Sequence, residues 1–142
     1  IWVIVGDGSI QMTIMELGTA IQENVNINIA IINNGYLGMV RQWQQMFYNA
    51  RYVETPISSP DYVKLAEAYG IQAYRVDSLE NVIPTMEKAQ KNAGPSLIEF
   101  KVEEHEVVYP MVPAGADLHD MIQRPFSDVY ENGQIVEKET AK

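Results

Sequence analysis

Two short clusters, Gly6-Asp7-Gly8-Ser9 and Asn33-Asn34-Gly35-Tyr36, combine glycines with oxygen-bearing side chains. Each cluster follows a run of mainly apolar residues, at positions 1–5 and 28–32. Such runs are typical of strands in a parallel sheet that is covered by helices on both faces. Because ligands bind at the carboxyl ends of the strands in such sheets, we expect both clusters to face one pocket.

The residue types in the two clusters indicate a site for a metal-bridged diphosphate. Gly6 and Gly8 allow close approach of the backbone to a ligand, and Ser9 adds a hydroxyl. The Asp7 carboxylate and the Asn34 amide oxygen are hard donors, which suit Mg²⁺ together with phosphate oxygens. Each cluster also has a simpler interpretation as an ordinary turn, because Asp and Asn-Gly are common turn signals.

The positions of the Lys and Arg residues determine which counter-charge a bound anion would need. No Lys or Arg precedes Arg41, so no P-loop lysine and no GxxxxGK[ST] motif can be drawn. Gln11 stands where a dinucleotide-binding fingerprint would have its third glycine. A diphosphate at this site therefore needs a metal ion as its counter-charge.

The remaining pattern predicts an α/β fold with a doubly wound, mostly parallel sheet and helices on both faces. The expected strands are 1–5, 28–32, 71–76 and 96–102. The first two expected helices are 13–23 and 36–47, and a third begins with Ser59 as N-cap and Pro60 and stops at Gly70. A fourth helix is expected within 78–92, where Pro84 forces a later start or a kink. From residue 105 onward the periodicity fades, which predicts a loop-rich tail.

Composition bounds the possible partners. The chain has 142 residues, with 10 Lys and Arg against 19 Asp and Glu, and a formal charge of −9. This charge has the wrong sign for nucleic acid or an anionic membrane surface, so neither is expected as a partner. Hydrophobic residues make up 46% of the chain, which is ordinary for a globular protein. No apolar run approaches the ~20 residues of a membrane span.

The beginning of the chain and its cysteine content indicate its context. The sequence has no cysteine, which excludes disulfides and thiolate metal sites and fits a reducing, cytoplasmic compartment. It opens on Ile1-Trp2-Val3-Ile4-Val5, with neither an initiator Met nor a signal peptide. We therefore expect the chain to be a piece of a larger protein.

A few other residues could carry chemistry but have plainer explanations. Glu16 could act as a general base, and His105 and His119 lie among carboxylates that could suggest a metal site. Glu side chains are usually exposed, and neither histidine has a ligand-type partner at helical spacing on a firm element, so we expect all three on the surface. On pattern alone, Met39 and Trp43 are expected to serve packing in a core or an interface.

Longer stretches of sequence resemble one enzyme family. Gly6-Asp7-Gly8-Ser9 followed by Asn33-Asn34 resembles the GDG…NN signature of thiamine diphosphate enzymes. The stretch 36–44, with Phe47-Tyr48 and Arg51-Tyr52, resembles more narrowly the large catalytic subunit of the biosynthetic acetolactate synthases. Residues 109–116 resemble the C-terminal loop of that family.

The resemblance assigns roles to individual positions. It implies that Asp7 and Asn34 ligate Mg²⁺ through their side chains and that Tyr36 does so through its carbonyl. The remaining implied contacts are Gly6, Gly8 and Ser9 with the diphosphate, Asn34, Gly38, Met39 and Val40 with the cofactor, and Trp43 and Ala114 with the substrate channel. The implied domains are a partial thiamine diphosphate-binding domain at 1–104 and a tail at 105–142 that covers the active site in the full enzyme.

The resemblance also implies an activity. Acetolactate synthases condense two pyruvates, or pyruvate and 2-oxobutyrate, with loss of CO₂, in branched-chain amino acid biosynthesis. The implied cofactors are thiamine diphosphate and Mg²⁺, with FAD held elsewhere in the full-length flavoprotein, and the implied partners are 2-oxo acids, a homo-oligomer and a regulatory small subunit. The activating glutamate of the family lies on a domain that this chain does not resemble, so we expect the chain alone to be inactive. Two alternatives stay open: another thiamine diphosphate enzyme, such as a pyruvate oxidase or 2-oxo acid decarboxylase, or a non-catalytic phosphate-binding or interface module.

Overall fold

The computed structural model describes residues 1–124, 128–131 and 134–137, and it divides into two units, Ile1–Glu106 and Val107–Lys142. The strands of the first unit are β1 (Trp2–Gly6), β2 (Asn28–Asn33), β3 (Gln72–Val76) and β4 (Ser96–Lys101). Its helices are α1 (Asp7–Gln11), α2 (Glu16–Gln22), α3 (Gly38–Phe47), α4 (Tyr62–Ala68) and α5 (Val82–Gln90). The four strands are all parallel, in the order β1-β2-β4-β3.

Helices cover both faces of this sheet, as the sequence predicts. Successive side chains of a strand point to opposite faces, so Leu97 and Ile98 of β4 enter different cores. The core on one face joins β2 and β4 to α1, α2 and α4, and its buried members are Ile10, Leu17, Ile29, Ile31, Tyr62, Ala66, Ile71 and Leu97. The core on the other face joins Val76, Ala89 and Ile98, with α5 packed on it. Full burial of a side chain such as Leu97 contributes about 1.5–3 kcal/mol.

Strand β1 departs from the expectation of a strand covered on both faces. It pairs only with β2 among the described strands and forms one edge of the sheet. Val3 is 40% exposed and Ile4 is 76% exposed. The apolar run of residues 1–5 therefore predicts the strand correctly, but the prediction that both faces of this strand are covered is wrong. Helix α5, which covers one face of the sheet, packs on β3 and β4.

The expectation of a single first helix over 13–23 is wrong. Helix α1 begins at Asp7, directly after β1, and α2 begins only at Glu16. Between them the backbone N–H groups of Met12 and Thr13 donate to carbonyls three residues back, at 3.2 and 3.0 Å, which is the tighter 3₁₀ pattern. Asp7, Gly8 and Ser9 of the first cluster consequently form the first turn of a helix, with Gly6 as its N-cap, and not a loop.

The helix that follows the second cluster is shorter than expected. It begins at Gly38 and not at Tyr36, because Gly35 has a positive φ of 72° and Tyr36 forms an isolated antiparallel bridge with Pro56. The end at Phe47 is as predicted.

The third helix begins two residues later than expected. Asp61 is its N-cap, where its carboxylate accepts the Lys64 backbone N–H at 3.3 Å, so Ser59 and Pro60 lie outside the helix. Asp61 prevails because its carboxylate also pairs with Arg75 of β3 at 2.8 Å. Gly70 follows the helix end with a positive φ of 79°, in agreement with its predicted role as the stop signal.

The fourth helix follows the prediction of a later start. Residues Leu79–Asn81 form a 3₁₀ turn, and α5 begins at Val82. Pro84 then occupies the first turn of the helix, where the backbone N–H groups have no intrahelical acceptor and a proline is tolerated.

The second unit begins with a stretch that contains no α-helix between residues 107 and 124. An isolated bridge joins Met111 to Ile122, and Arg124 lies over the ring of Tyr109 at 5.4 Å. Strand β5 (Asp128–Glu131) pairs with β6 (Gln134–Glu137) in an antiparallel hairpin, which the prediction of a loop-rich tail missed. Over the described residues, no helix has the length and apolar character that a membrane crossing requires.

Asp61 gives the fold a measurable pH dependence. Its hydrogen bond from the Lys64 backbone N–H, together with the nearby Arg75 guanidinium, lowers the pKa of the Asp61 carboxyl below its ordinary value of 3.8. A carboxyl with a lowered pKa in the folded state stabilises the fold above its unfolded pKa, and this contribution is lost as the pH falls through the folded value. We expect the free energy of unfolding of wild type to exceed that of Asp61→Asn near neutral pH, and the difference to shrink below about pH 4.

Urea denaturation at a series of pH values measures this difference. Asp77→Asn removes the same charge from an exposed carboxylate outside these contacts and is the matched control. A difference between wild type and Asp61→Asn that stays constant from neutral to acid pH contradicts the assignment.

Candidate functional site

A cleft of about 460 Å³ lies at the carboxyl ends of β1 and β2. Its lining residues are Gly6, Asp7, Gly8, Ser9, Met12, Ile32, Asn34, Tyr36, Leu37, Gly38, Met39 and Val40. The structure therefore brings together every residue predicted from the sequence to bind the metal or the cofactor. The two clusters meet because β1 and β2 are parallel neighbours and Gly6 lies opposite Ile32 in the register.

The carboxylate of Asp7 joins the two clusters. Asp7 is 2% exposed, and its Oδ2 accepts the Gly35 N–H at 2.8 Å while its Oδ1 accepts the Gly8 N–H at 2.9 Å. The contact with Gly35 connects the end of β1 to the end of β2. Asp7 is thus a structural link as well as a predicted ligand.

Asp7 has no cationic partner among the residues that the structure describes. None of the ion pairs in this part of the chain includes it, and both hydrogen bonds to its carboxylate come from backbone amides. Buried charges in proteins are generally paired or bound to a metal. A carboxylate offers about four lone-pair positions, so two remain for a cation after the two amide contacts.

The second cluster forms a tight turn that presents further oxygen atoms. Asn34 Oδ1 accepts the Tyr36 N–H at 3.1 Å, in an Asx turn, and keeps a second lone pair. The positive φ of Gly35 reverses the chain between these two residues. The turn thereby places the Asn34 side chain and Tyr36 in the lining of the cleft.

These donors fit Mg²⁺ better than a transition metal. A carboxylate, an amide oxygen and a backbone carbonyl form an all-oxygen set, and Mg²⁺ completes such sets with water and phosphate oxygens. Elsewhere in the described part of the chain, no group of three His, Asp or Glu side chains could hold a metal by itself. The residues present therefore fit a Mg²⁺ ion that is shared with a bound phosphate.

Two glycines keep the cleft narrow. A Cβ at Gly8 would lie 3.0 Å from Leu37 Cδ2 and 3.3 Å from Ile57 Cδ1. A Cβ at Gly38 would lie 3.0 Å from Asn34 Nδ2. Since real Cβ contacts are rarely this short, a side chain at Gly38 would displace the Asn34 amide.

Helix α3 provides the opposite wall. Its N-cap, Leu37, has no side chain that accepts the first backbone N–H groups. Gly38, Met39 and Val40 supply these groups and line the cleft. Met39 is 54% exposed and Val40 is 50% exposed, so the wall is apolar and open.

The first cationic residue of the sequence, Arg41, is committed to other contacts. It is buried, and its guanidinium donates to the Glu104 carbonyl at 2.8 Å and to His105 Nδ1. The same group lies 4.8 Å from the ring centre of Tyr36 and 4.9 Å from that of Tyr52. Arg41 therefore packs against the Tyr36 ring and is not among the residues that line the cleft.

Two residues near the site, Tyr62 and Glu99, are not predicted from the sequence. Tyr62, fully buried on α4, donates its hydroxyl to the Asp7 carbonyl at 3.0 Å. Glu99, buried on β4, accepts from the Asn33 side chain at 2.6 Å. A charged residue inside the apolar run of β4 was the available signal for Glu99, whereas Tyr62 resembles any core tyrosine.

Within the first unit, Trp43, Glu16 and His105 are not among the residues that line the cleft. Trp43 is on the next turn of α3, 40% exposed, with its ring edge-to-face against Phe47 at 5.8 Å, so it is not part of a core. Ala114 is exposed in the second unit. The expected surface positions of Glu16, His105 and His119 are confirmed.

Comparison with known proteins supports one family. Residues 1–100 match the family described as thiamine pyrophosphate enzyme, C-terminal TPP binding domain. An acetolactate synthase large subunit from Corynebacterium glutamicum is 46% identical over 138 residues, covering 90% of this chain and 22% of the relative. An acetolactate synthase from Arthrospira platensis is 43% identical over 121 residues, covering 84% of this chain and 21% of the relative.

A solved structure gives the same result. The thiamine diphosphate-dependent 4-hydroxybenzoylformate decarboxylase of Rhodococcus jostii RHA1 matches with a TM-score of 0.69 and 28% identity, over 75% of this chain and 20% of the other. The chain thus spans about a fifth of the length of the relatives that it matches. By its parallel sheet, its glycine-lined cleft and the match over residues 1–100, the chain belongs to the thiamine pyrophosphate enzyme family, of which it contains the C-terminal TPP-binding domain.

Proposed function

We propose that this chain is the thiamine diphosphate-binding part of an acetolactate synthase and that its cleft holds the cofactor through Mg²⁺. The observation that carries the proposal is the buried Asp7 carboxylate, which lines the cleft and has backbone donors but no cationic partner within the described residues. The two acetolactate synthases at 46% and 43% identity support the choice of reaction.

In this proposal each wall of the cleft binds one part of the cofactor. Asp7, the Asn34 side chain and the Tyr36 carbonyl bind Mg²⁺. Gly6, Gly8 and Ser9 lie against the diphosphate, whose charge the metal offsets. Gly38, Met39 and Val40 lie against the thiamine rings, where Met39 and Val40 exclude water from one side.

The chemistry itself belongs to the cofactor. When bound, thiamine diphosphate supplies a nucleophilic carbon and an electron sink for decarboxylation of a 2-oxo acid. The residues of this chain contribute orientation, because fixing the cofactor at its diphosphate end and along its rings restricts it to few poses. In the proposed reaction pyruvate loses CO₂, and the remaining two-carbon unit joins a second pyruvate or 2-oxobutyrate, with Trp43 and Ala114 at the substrate channel.

A 2-oxo acid decarboxylase is the second candidate, because the solved structure that matches this chain is named as a thiamine diphosphate-dependent decarboxylase. Its identity of 28% is lower than the 46% of the acetolactate synthase relative, which favours the first candidate. The products distinguish the two reactions: an acetolactate synthase forms 2-acetolactate from pyruvate, whereas a decarboxylase releases an aldehyde and CO₂.

Further properties of the whole enzyme are part of the same proposal. They are a cytoplasmic location, FAD bound outside this segment, a regulatory small subunit, and no acetolactate formation by this chain alone. A homo-oligomer is supported by the exposed aromatic side chains of α3 that do not line the cleft, Trp43 and Phe47. Light scattering at micromolar concentration is expected to give a dimer or larger species, and a monomer contradicts this part.

Removal of the Asp7 charge tests the metal site. Asp7→Asn keeps the size of the side chain but removes the negative charge that a cation needs. We expect it to weaken Mg²⁺-dependent thiamine diphosphate binding by at least the roughly 10–100-fold that loss of an outer partner of a metal costs. Isothermal titration calorimetry with and without Mg²⁺ measures this affinity.

Asp77→Asn is the matched control, since Asp77 also follows a strand at the carboxyl edge of the sheet but does not line the cleft. It should bind as wild type does. Binding that is independent of Mg²⁺ and unchanged in Asp7→Asn contradicts the proposal and favours a simple anion-binding turn.

A methyl group at Gly38 tests the orientation of Asn34. In Gly38→Ala the new Cβ would meet Asn34 Nδ2 at 3.0 Å and turn the amide away from its position in the cleft. Alanine is the better helix residue, so we expect unfolding stability to be equal or higher. We expect Mg²⁺-dependent affinity for thiamine diphosphate to fall about tenfold, a loss comparable to that of one hydrogen bond to a charged group.

Gly94→Ala is the control for this substitution, because a Cβ there has nothing within 4 Å. Calorimetry and thermal unfolding of both variants give the two quantities needed. Equal affinities of wild type and Gly38→Ala contradict a role for the Asn34 side chain as a ligand.

A further inference from the structure

Glu99 is a buried carboxylate that is not among the residues that line the cleft. It is 1% exposed in β4, between β2 and β3. Its Oε2 accepts Arg75 Nε at 2.7 Å, and Lys101 Nζ lies 3.4 Å from Oε1. The Arg75 guanidinium is charged at neutral pH, and its hydrogen bond with Glu99 raises its pKa further above the ordinary value.

The Asn33 side chain connects Glu99 to the cleft. Asn33 Nδ2 donates to Glu99 Oε1 at 2.6 Å, and Asn33 Oδ1 accepts the Gly35 N–H at 3.1 Å. The same Gly35 N–H also donates to Asp7 Oδ2 at 2.8 Å. A continuous series of contacts therefore runs from Glu99 through Asn33 and Gly35 to Asp7.

The charge of Glu99 decides which way the Asn33 amide faces. An ionised carboxylate only accepts hydrogen bonds, so the NH₂ group of Asn33 must face Glu99. Asn33 Oδ1 is thereby left facing the Gly35 N–H. The reversed amide would set oxygen against the carboxylate and NH₂ against the Gly35 N–H, which loses both hydrogen bonds in a buried place.

We propose that Glu99 is a positioning residue for the metal site. Through Asn33 it fixes the turn at Gly35, and this turn sets the positions of the Asn34 side chain and the Tyr36 carbonyl relative to Asp7. The inference rests on the proposed function, because it concerns the affinity of that cleft for Mg²⁺. Glu99 itself contacts neither the metal nor the cofactor in this arrangement.

Glu99→Gln tests the charge without changing the shape. Arg75 and Lys101 both only donate, but Arg75 Nε is the closer donor, at 2.7 Å against 3.4 Å, and the half-exposed Lys101 side chain is free to turn to solvent. The oxygen of the introduced amide therefore turns toward Arg75, and its NH₂ group faces Asn33. The Asn33 amide must then reverse, and Gly35 loses its acceptor on Asn33. We expect Mg²⁺ affinity in the presence of thiamine diphosphate to fall about 10–100-fold, as is typical for outer-shell partners of metals.

A second readout does not depend on any ligand. Amide hydrogen exchange, followed by nuclear magnetic resonance, reports whether the Gly35 N–H keeps its partners. We expect exchange at Gly35 to be faster in Glu99→Gln than in wild type, before metal or cofactor is added.

Exchanging the carboxylate and the amide between positions 99 and 33 distinguishes a positioning role of Glu99 from an effect on overall stability. When Glu99→Gln is combined with Asn33→Asp, the carboxylate now at position 33 accepts from both the NH₂ group at position 99 and the Gly35 N–H. This double variant should recover the slow exchange of Gly35 and most of the Mg²⁺ affinity. Ser96→Ala is the control, because Ser96 is a buried polar residue of the same strand whose side chain contacts Asn92 and Ala89, far from the cleft.

The outcomes distinguish this inference from the proposed function. Loss of affinity in Glu99→Gln, recovery in the double variant and none of this loss in Ser96→Ala support the inference. Wild-type affinity in Glu99→Gln, or a loss that the double variant does not recover, overturns the inference while the proposed function stands. A wild-type protein without Mg²⁺-dependent binding contradicts the proposed function, and the inference about metal affinity falls with it.

Discussion

The hydrogen bond between the Asp7 carboxylate and the Gly35 N–H holds the candidate site together. Asp7 follows β1 and Gly35 follows β2, so this one contact of 2.8 Å fixes the ends of two neighbouring strands against each other. Tyr62 supports Asp7 from α4, and Asn33 supports Gly35 from β2. The glycine-lined walls, the Asn34 side chain and the start of α3 all take their positions from this pair of turns.

The electrostatics of the site follow from where the cations lie. The chain carries a formal charge of −9, yet the proposed ligand is itself an anion. Arg41 is held by Glu104 and His105, and Arg75 by Glu99 and Asp61, so neither is directed at the cleft. A buried carboxylate and an incoming diphosphate are compatible only with a cation between them, and Mg²⁺ meets that need with an all-oxygen donor set.

Sequence reasoning predicted most of the site because glycine, aspartate and asparagine at strand ends are local signals. The parallel pairing of β1 and β2 then places both clusters on one edge, which explains why all the predicted metal and cofactor residues line one cleft. Predictions from the sequence were wrong where tertiary contacts determine the ends of an element. The N-cap of α4 is Asp61 and not Ser59 because Arg75 of a different element adds an ion pair.

Long-range contacts also explain what the sequence could not reveal about Glu99 and β1. The residues Asn33 and Glu99 are separated by 66 positions, and only the adjacency of β2 and β4 makes them partners. The exposure of Ile4 depends on which elements lie beside β1, and the composition of an apolar run carries no information on its neighbours. The residues that line the site could therefore be predicted from the sequence, whereas the residues of distant strands that hold them in place could not.

Paramagnetic broadening by Mn²⁺ tests the central claim most directly, since Mn²⁺ replaces Mg²⁺ at oxygen sites and broadens the amide signals of nearby residues. With thiamine diphosphate present, we expect loss of the amide signals of Gly8, Gly35 and Gly38, while the signal of Gly94, which precedes β4 at the amino ends of the strands, stays sharp. Sharp signals at the three cleft glycines, or broadening confined to the acidic run at Glu103, Glu104 and Glu106, would contradict it.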